Sequence, residues 1–484
     1  MKTSVQPTFQ RAVRCHQSGL LAEAQVLYRA VLKAQPGDAT SMHLLGVLSG
    51  QMGDCAAAVR LIRRAIALRE DVADYHSNLG SFLIELRQEG PAIAACRRAI
   101  ALNPDIAEAH LNLGVALAAR DELEAAIASF RRAIDLKPDY AQAHNNLGAA
   151  LKDLGRLEGA ADSLREAIAH SGDFANAQWN LGLLNLLKGN FAEGWRGYEQ
   201  RLKLPENQWL TKRFSQPLWN GEELNGRTIL LLAEQGLGDT IQFVRYARLV
   251  ARRGGRVIVF APPSLRRLLA RVEGIERVVC DRDALPKFDV QCPLLSLPRI
   301  FQTRLENIPA EIPYLSADPE LAGGWSRRLS AQDRRRRIGL VWAGGSNHKR
   351  DRVRSVAPSL FSPLAAVSDA RFFSLQKGEA GEQKKLLPAE LELIDWTSGL
   401  GDFADTAALV AHLDLVITVD TAVAHLAGAM GKPVWLALPF ILDWRWMLER
   451  MDSPWYPTMR LFRQPRRGDW CSVMQEMTTA LRAA

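Results

Sequence analysis

The chain has 484 residues, too many for one core, so two or three domains are expected. Hydrophobic residues at 48% and charged residues at 24% are the balance of a soluble globular protein, and the net charge of +8 is modest and dispersed, so no nucleic-acid partner is implied. No hydrophobic segment follows Met1, no run reaches the length of a membrane span, and the six scattered cysteines lack any C-x-x-C pair. These features predict reduced thiols in a cytoplasmic protein, without a transmembrane segment, zinc site or disulfide framework.

The first half is internally repetitive. Leu45-Gly46, Leu79-Gly80, Leu113-Gly114, Leu147-Gly148 and Leu181-Gly182 recur at a step of 34 residues. Ala58, Ala92, Ala126 and Ala160 keep the same step, as do Ala65, Ala99, Ala133 and Ala167, and Pro36, Pro104 and Pro138 close their units. This matches the tetratricopeptide pattern of two antiparallel helices per repeat. About six units are expected over residues 1–208, stacked as an α-solenoid whose groove binds a protein or peptide. Asn78, Asn112, Asn146 and Asn180 share one register, although asparagine is a poor mid-helix residue. Facing the groove, their amides would bond an extended peptide; facing their neighbours, they would cap or bridge adjacent helices. Both readings fit the spacing. His76, His110 and His144 follow the same step, which makes them packing or groove positions rather than metal ligands.

Helical periodicity fails in a linker, residues 209–226, around Pro217, Trp219, Asn220 and Gly221. Strands then alternate with helices over residues 227–333: Thr228 to Ala233, Arg256 to Ala261, Arg277 to Cys280 and Phe288 to Cys292, with a helix following the first strand to about Arg253. That alternation predicts an open parallel sheet, whose chemistry sits at the carboxyl ends of the strands. Glu234-Gln235-Gly236-Leu237-Gly238-Asp239-Thr240 occupies that place. It lacks the third glycine of a dinucleotide fingerprint. An N-cap role alone accounts for Asp239.

Residues 334–484 predict a second such sheet. Ile338 to Trp342 reads as a strand, followed by the glycine-rich, cationic loop Ala343 to Ser355, suited to a diphosphate. Arg371 to Leu375 is a strand ending in Gln376-Lys377-Gly378, and Asp402 to His412 a helix. Leu415 to Val419 is a buried strand, and Asp420 and Thr421 stand where a helix N-terminus would bind an anion. His425 lies one turn inside that helix, Gly431 and Pro433 stop it, and Val434 to Leu438 is the next strand. A capped helix with a structural histidine explains the same residues. Trp444, Trp446, Trp455 and Trp470 crowd the tail and are expected to pack between domains. Asp443, Arg445 and Arg450 are candidates to pair with one another.

With these residues in view, the second half resembles glycosyltransferases of the GT-B fold, most of all the ADP-heptose–lipopolysaccharide heptosyltransferase family. The resemblance rests on Gly238-Asp239 and on Asp420-Thr421-Ala422-x-x-His425-Leu426-Ala427 with Gly431-x-Pro433. It implies a fold of two Rossmann-like domains, with Asp239 as general base on an acceptor hydroxyl. It also implies a nucleotide-sugar held by Thr421, Ala422 and His425, with Asp420 at the helix start. Arg354 takes the place of the family's lysine, and Gln376 and Lys377 lie where base or ribose would pass. The first α/β domain is shorter than the family's. The order of parts is similar to that of O-linked N-acetylglucosamine transferase. The expected activity is inverting, metal-independent transfer of a sugar, without a cofactor, to a protein in the repeat groove. The competing readings are a non-enzymatic scaffold with a degenerate transferase domain, favoured by the short first domain, and a two-domain epimerase, which would leave the groove without purpose.

Overall fold

The computed structural model describes residues 5–329, 334–345, 351–441 and 443–483. The chain divides into two compact units, Met1–Asn180 and Leu181–Ala484.

The first unit is a stack of helical hairpins. Its helices are α1 (Gln6–Gln17), α2 (Leu21–Ala34), α3 (Ala39–Gln51), α4 (Cys55–Leu68), α5 (Ala73–Glu85), α6 (Glu89–Leu102), α7 (Ala107–Ala119), α8 (Leu123–Leu136), α9 (Ala141–Asp153) and α10 (Leu157–His170). The unit ends within α11 (Ala175–Leu187), which α12 (Phe191–Tyr198) follows. From α3 onward each hairpin closes on a glycine of the recurrent Leu-Gly pair, and the first has Ala12 at that position. At Gly114 a Cβ would stand 2.5 Å from the Phe130 ring of α8, so any larger residue would push α7 off its partner. The Ala58, Ala92, Ala126 and Ala160 series is fully buried for the same reason.

The repeated histidines clamp turns. His76, His110 and His144 bond through Nε2 to the carbonyls of Glu70, Pro104 and Pro138, each six residues back, at 2.9–3.0 Å. Gln178 makes the same bond to Gly172 with its amide. The asparagine register is divided. Asn78 donates to His43 Nε2 at 3.0 Å and Asn180 to Asn145 Oδ1 at 2.9 Å, so these two bridge adjacent repeats. Asn146 accepts from its neighbour Asn145, and among the described residues the Asn112 amide makes no side-chain hydrogen bond. The preceding repeat offers Asn112 and Asn146 a worse partner: the positions equivalent to His43 and Asn145 hold Ser77 and Leu111.

The second unit carries two parallel sheets. The first comprises β1 (Thr228–Leu232), β2 (Arg256–Phe260), β3 (Ile275–Val279) and β4 (Val290–Pro293), in the order β3-β2-β1-β4. The second comprises β5 (Arg336–Val341), β6 (Ala370–Ser374), β7 (Leu415–Val419), β8 (Val434–Leu438) and β9 (Met459–Arg463), in the order β6-β5-β7-β8-β9. Every pairing within a sheet is parallel. In each sheet the chain runs outward from one strand and then returns to its other side. The crevice between β1 and β4, and that between β5 and β7, are therefore topological switch points, where parallel sheets bind ligands.

Three local readings change. The helix expected to run from the Gly-Leu-Gly-Asp loop to Arg253 is interrupted: Leu237–Phe243 is followed by a 3₁₀ turn, Val244–Tyr246, before Ala247–Ala251. Buried Arg245 turns back there to donate to the Gln242 carbonyl at 2.8 Å, beside the interruption. The tail supplies a fifth strand, β9, and a closing helix, Trp470–Ala483, whose Trp470, Val473, Met474, Met477 and Leu481 join the core of the second sheet. Trp470 is thus a core residue, whereas Trp444 and Trp455 pack against Phe243 from the first sheet's side and against Trp195 of α12.

Candidate functional site

A cleft of about 1030 Å³ lies where the carboxyl ends of the two sheets meet. The loop after β1 brings Gln235 to Asp239, the end of β5 brings Ala343 to Gly345, the end of β6 brings Gln376 to Gly378, and the end of β7 brings Asp420 to Val423. Arg354, His425, Asp443 and Arg445 line the same space. Of the cationic loop after β5, residues Ser346 to Arg350 lie outside the described residues.

Asp239 is the third residue of its helix rather than its N-cap. One carboxylate oxygen takes the Gly236 amide at 2.8 Å, while the other is ion-paired with Arg445. Glycine at the cap and left-handed Gln235 (φ +58°) make the sharp turn from strand to helix. Beneath that turn, buried Arg201 grips Glu234 at the end of β1 with two bonds of 2.9 and 2.6 Å and reaches Ser296 Oγ at 3.0 Å. Tyr198 meets the Gln235 amide at 3.0 Å. The end of α12 and the residues that follow it therefore hold the loop.

Across the cleft, Thr421 caps helix Ala422–Ala429 without a side-chain bond to it; its hydroxyl lies 3.2 Å from that of Thr418. Among the described residues the Ala422 and Val423 amides make no hydrogen bond, so they remain available to an anion. Arg354 pairs with Asp351 at 3.4 Å, and its guanidinium packs where a Cβ on Gly344 would stand.

His425 is buried, with Trp446 stacked on one face at 5.4 Å and the Tyr456 hydroxyl 2.9 Å from Nδ1. Burial, and then the Arg445 charge, push its imidazole down to about 3, so it is neutral at ordinary pH. Asp420 stands 4.0 Å from His425 Nε2, beyond hydrogen bonding. Burial and the Asp443 carboxylate hold Asp420 above the usual carboxylate range, while Asp443, despite burial, is held below it by Arg445.

Two expected ligand residues line the cleft and also bond to the scaffold. Gln376 is buried, and its carbonyl oxygen accepts the Trp342 and Ala343 amides at 3.1 and 2.9 Å, fixing the end of β5. The Lys377 ammonium is tied to the Leu400 carbonyl and lies 3.3 Å from that of Gly401. The structure thus brings Asp239, Arg354, Gln376, Lys377, Asp420, Thr421, Ala422 and His425 to one cleft, whereas the asparagine register belongs to the other unit.

Arg445 is a cleft residue whose partner across the cleft its motif did not disclose. Its guanidinium holds Asp239, Asp443 at 2.9 Å and Gln242 at 2.7 Å together. The Asp443-Trp444-Arg445-Trp446 run carried the local half of this signal, and Asp239 lies some two hundred residues away. The expected Arg450 partner is absent from the cluster, because Arg450 pairs with Asp452 at 2.7 Å.

The family model described as glycosyltransferase family 9 (heptosyltransferase) matches residues 389–437, the segment that contains β7, the anion-facing helix start and most of β8. Tetratricopeptide-repeat models match residues 43–105 and 145–203, and a further TPR-repeat model matches 116–155. The chain thus resembles tetratricopeptide-repeat proteins over much of its first half and family 9 glycosyltransferases over one segment of its second. A curated relative, protein FlbA of Caulobacter vibrioides, is 28% identical over 326 residues, 61% of this chain and 53% of FlbA. The chain therefore spans about half the length of that relative. Among solved structures, MamA is 26% identical, with 34% of this chain and 96% of MamA covered at a TM-score of 0.31. PilW, a type IV pilus biogenesis factor, is 18% identical, with 43% and 98% covered at 0.39. The matches to the family models support a glycosyltransferase that carries a repeat scaffold. Among the described residues no helix is long and apolar enough to cross a membrane.

Proposed function

We propose that the second unit is a GT-B, inverting, metal-independent glycosyltransferase that moves a sugar from a nucleotide-sugar to an acceptor, a protein held by the repeats. The observation that carries this reading is the juxtaposition in one cleft of an anion-ready helix start, with Arg354 and His425, and a carboxylate from the facing sheet, Asp239. The donor diphosphate lies on the Ala422 and Val423 amides and Arg354. Asp239 removes the acceptor proton as the hydroxyl attacks the anomeric carbon from the opposite face, which inverts it. Charge then develops on the leaving diphosphate, where fixed cations and amides count towards rate, so the reading needs neither a metal nor another cofactor. Six free cysteines fit a cytoplasmic setting.

Thermal-shift titration with UDP-, GDP-, ADP- and CMP-linked sugars tests it, with Asp420→Ala as control. A ligand at a hundred times its Kd stabilises by about 2.7 kcal/mol. A donor that shifts the wild type and not the variant supports the site and names the nucleotide. The absence of any shift favours the second reading, a scaffold with a degenerate transferase domain. That reading draws on the ion pair that already occupies Asp239.

A further inference from the structure

The bonding around His425 determines more than its burial. Tyr456 is fully buried, and its ring lies so close to Gly428 that a Cβ there would stand 2.7 Å away. Burial holds its phenol well above the usual tyrosine range, so the hydroxyl keeps its proton. His425 Nδ1 is within its reach at 2.9 Å, whereas the Tyr314 hydroxyl, 3.5 Å away, faces it as a donor and not as an acceptor. Tyr314 already accepts from Arg245 Nη2 at 2.9 Å and sends its own proton to the Ile241 carbonyl at 3.0 Å. The Arg245 guanidinium lies 4.7 Å from the centre of the Tyr456 ring. The short bond is therefore phenol to Nδ1, which leaves the ring proton on Nε2.

Nε2 makes no hydrogen bond among the described residues, although His425 is only 5% exposed. It is uncovered because residue 238 is glycine: a Cβ there would lie 3.3 Å from Nε2 and 2.7 Å from Cδ2. A nine-tenths buried donor without a partner thus opens on the same space as the free amides of Ala422 and Val423.

We propose that Tyr456 is a positioning residue that fixes His425 as the Nε2–H tautomer, so that a neutral imidazole donates a hydrogen bond to a phosphoryl oxygen in the cleft. The identity of the anion rests on the nucleotide-sugar reading; the tautomer does not. A neutral donor adds a directed bond without a proton that ordinary pH could remove.

The test uses the full chain labelled with ¹⁵N-histidine, with the His425 signals assigned by their loss in His425→Phe. A long-range ¹H–¹⁵N spectrum is expected to show Nε2 protonated and Nδ1 bare, with Nδ1–H appearing in Tyr456→Phe, which keeps the ring and loses the hydroxyl. A wild-type His425 protonated on Nδ1, or a pattern unchanged in a folded Tyr456→Phe, overturns the tautomer assignment; if that variant does not fold, the wild-type spectrum decides. Inorganic pyrophosphate is then titrated. The Nε2 signal should move on saturation, and His425→Phe should bind about tenfold or more weakly, the loss expected for one bond to a charged group. Pyrophosphate that binds without moving Nε2 overturns the donor role and leaves the diphosphate cleft standing. Failure of both pyrophosphate and nucleoside diphosphates to bind overturns the diphosphate reading, while the first spectrum still judges the tautomer.

Discussion

Gly238 packs against the imidazole of His425, and a Cβ on it would stand 2.7 Å from Cδ2. The two residues come from facing sheets, so this contact sets how closely the loop after β1 approaches the helix after β7. Gly238→Ala should therefore separate them or turn the ring. We expect a loss of about 1–3 kcal/mol from overpacking, together with weakened binding of any nucleotide ligand. Thermal melting and ligand titration of the same sample check both. A variant that melts and binds like the wild type would show that the approach is not constrained.

Arg445 predicts a difference between two substitutions. In Asp239→Asn the guanidinium keeps Asp443 and Gln242, so folding should survive, while general-base loss should lower turnover by about 10²–10⁴. Arg445→Leu leaves Asp239 and Asp443 without their cation, and because Asp443 is 37% exposed the loss should be about 1–3 kcal/mol. Steady-state rates with a donor found by titration, and urea midpoints, separate the cases. Turnover within about tenfold of wild type in Asp239→Asn would remove it as the base.

His43 makes the repeats acid-sensitive. Burial pushes its imidazole down to about 4 from 6.5, and its Nε2 meets the Asn78 amide. Between these values the unfolded chain binds more protons than the folded one, so stability present at neutral pH is lost as pH falls from 6.5 towards 4, by on the order of 2 kcal/mol at pH 5. Asn145 holds the equivalent position and bridges to Asn180, so His43→Asn should keep the bridge and blunt the response. Hydrogen exchange of α3 and α5 at pH 7 and 5 reads this locally. The same acid response in both proteins would count against His43.

The Arg201–Glu234 pair is buried, with Arg201 at 0% exposure. Arg201→Met leaves Glu234 unpaired in the interior and should cost about 3–5 kcal/mol. Adding Glu234→Gln should recover part of that, since a neutral amide still accepts the Leu295 amide that Glu234 accepts at 3.2 Å. Urea midpoints of the single and double variants decide it. A double variant no more stable than Arg201→Met would show that the carboxylate's charge is not what costs.

Local pattern was enough for much of this protein. The 34-residue step named the repeats, because each hairpin must meet its neighbour through the same small residues. Strands Leu415–Val419 and Val434–Leu438 were legible residue for residue, since fully buried parallel strands read as uncharged aliphatic runs. The turn residues at Gly236, Asp239, Asp420 and Thr421 marked the ends of strands, where a parallel sheet exposes its helix starts.

Partnership across distance was settled only by the tertiary structure. No spacing rule joins Arg445 to Asp239, Tyr456 to His425 or Arg201 to Glu234, because each pair forms only once separate elements have packed. The same holds for Gln376 and Lys377, whose polar groups bond nearby backbone, and for β9, whose residues become a strand only beside β8. Sequence periodicity reports which face of an element is buried. Which charges and hydrogen-bonding groups meet there depends on how the elements pack, and the chemistry of this cleft depends on those meetings.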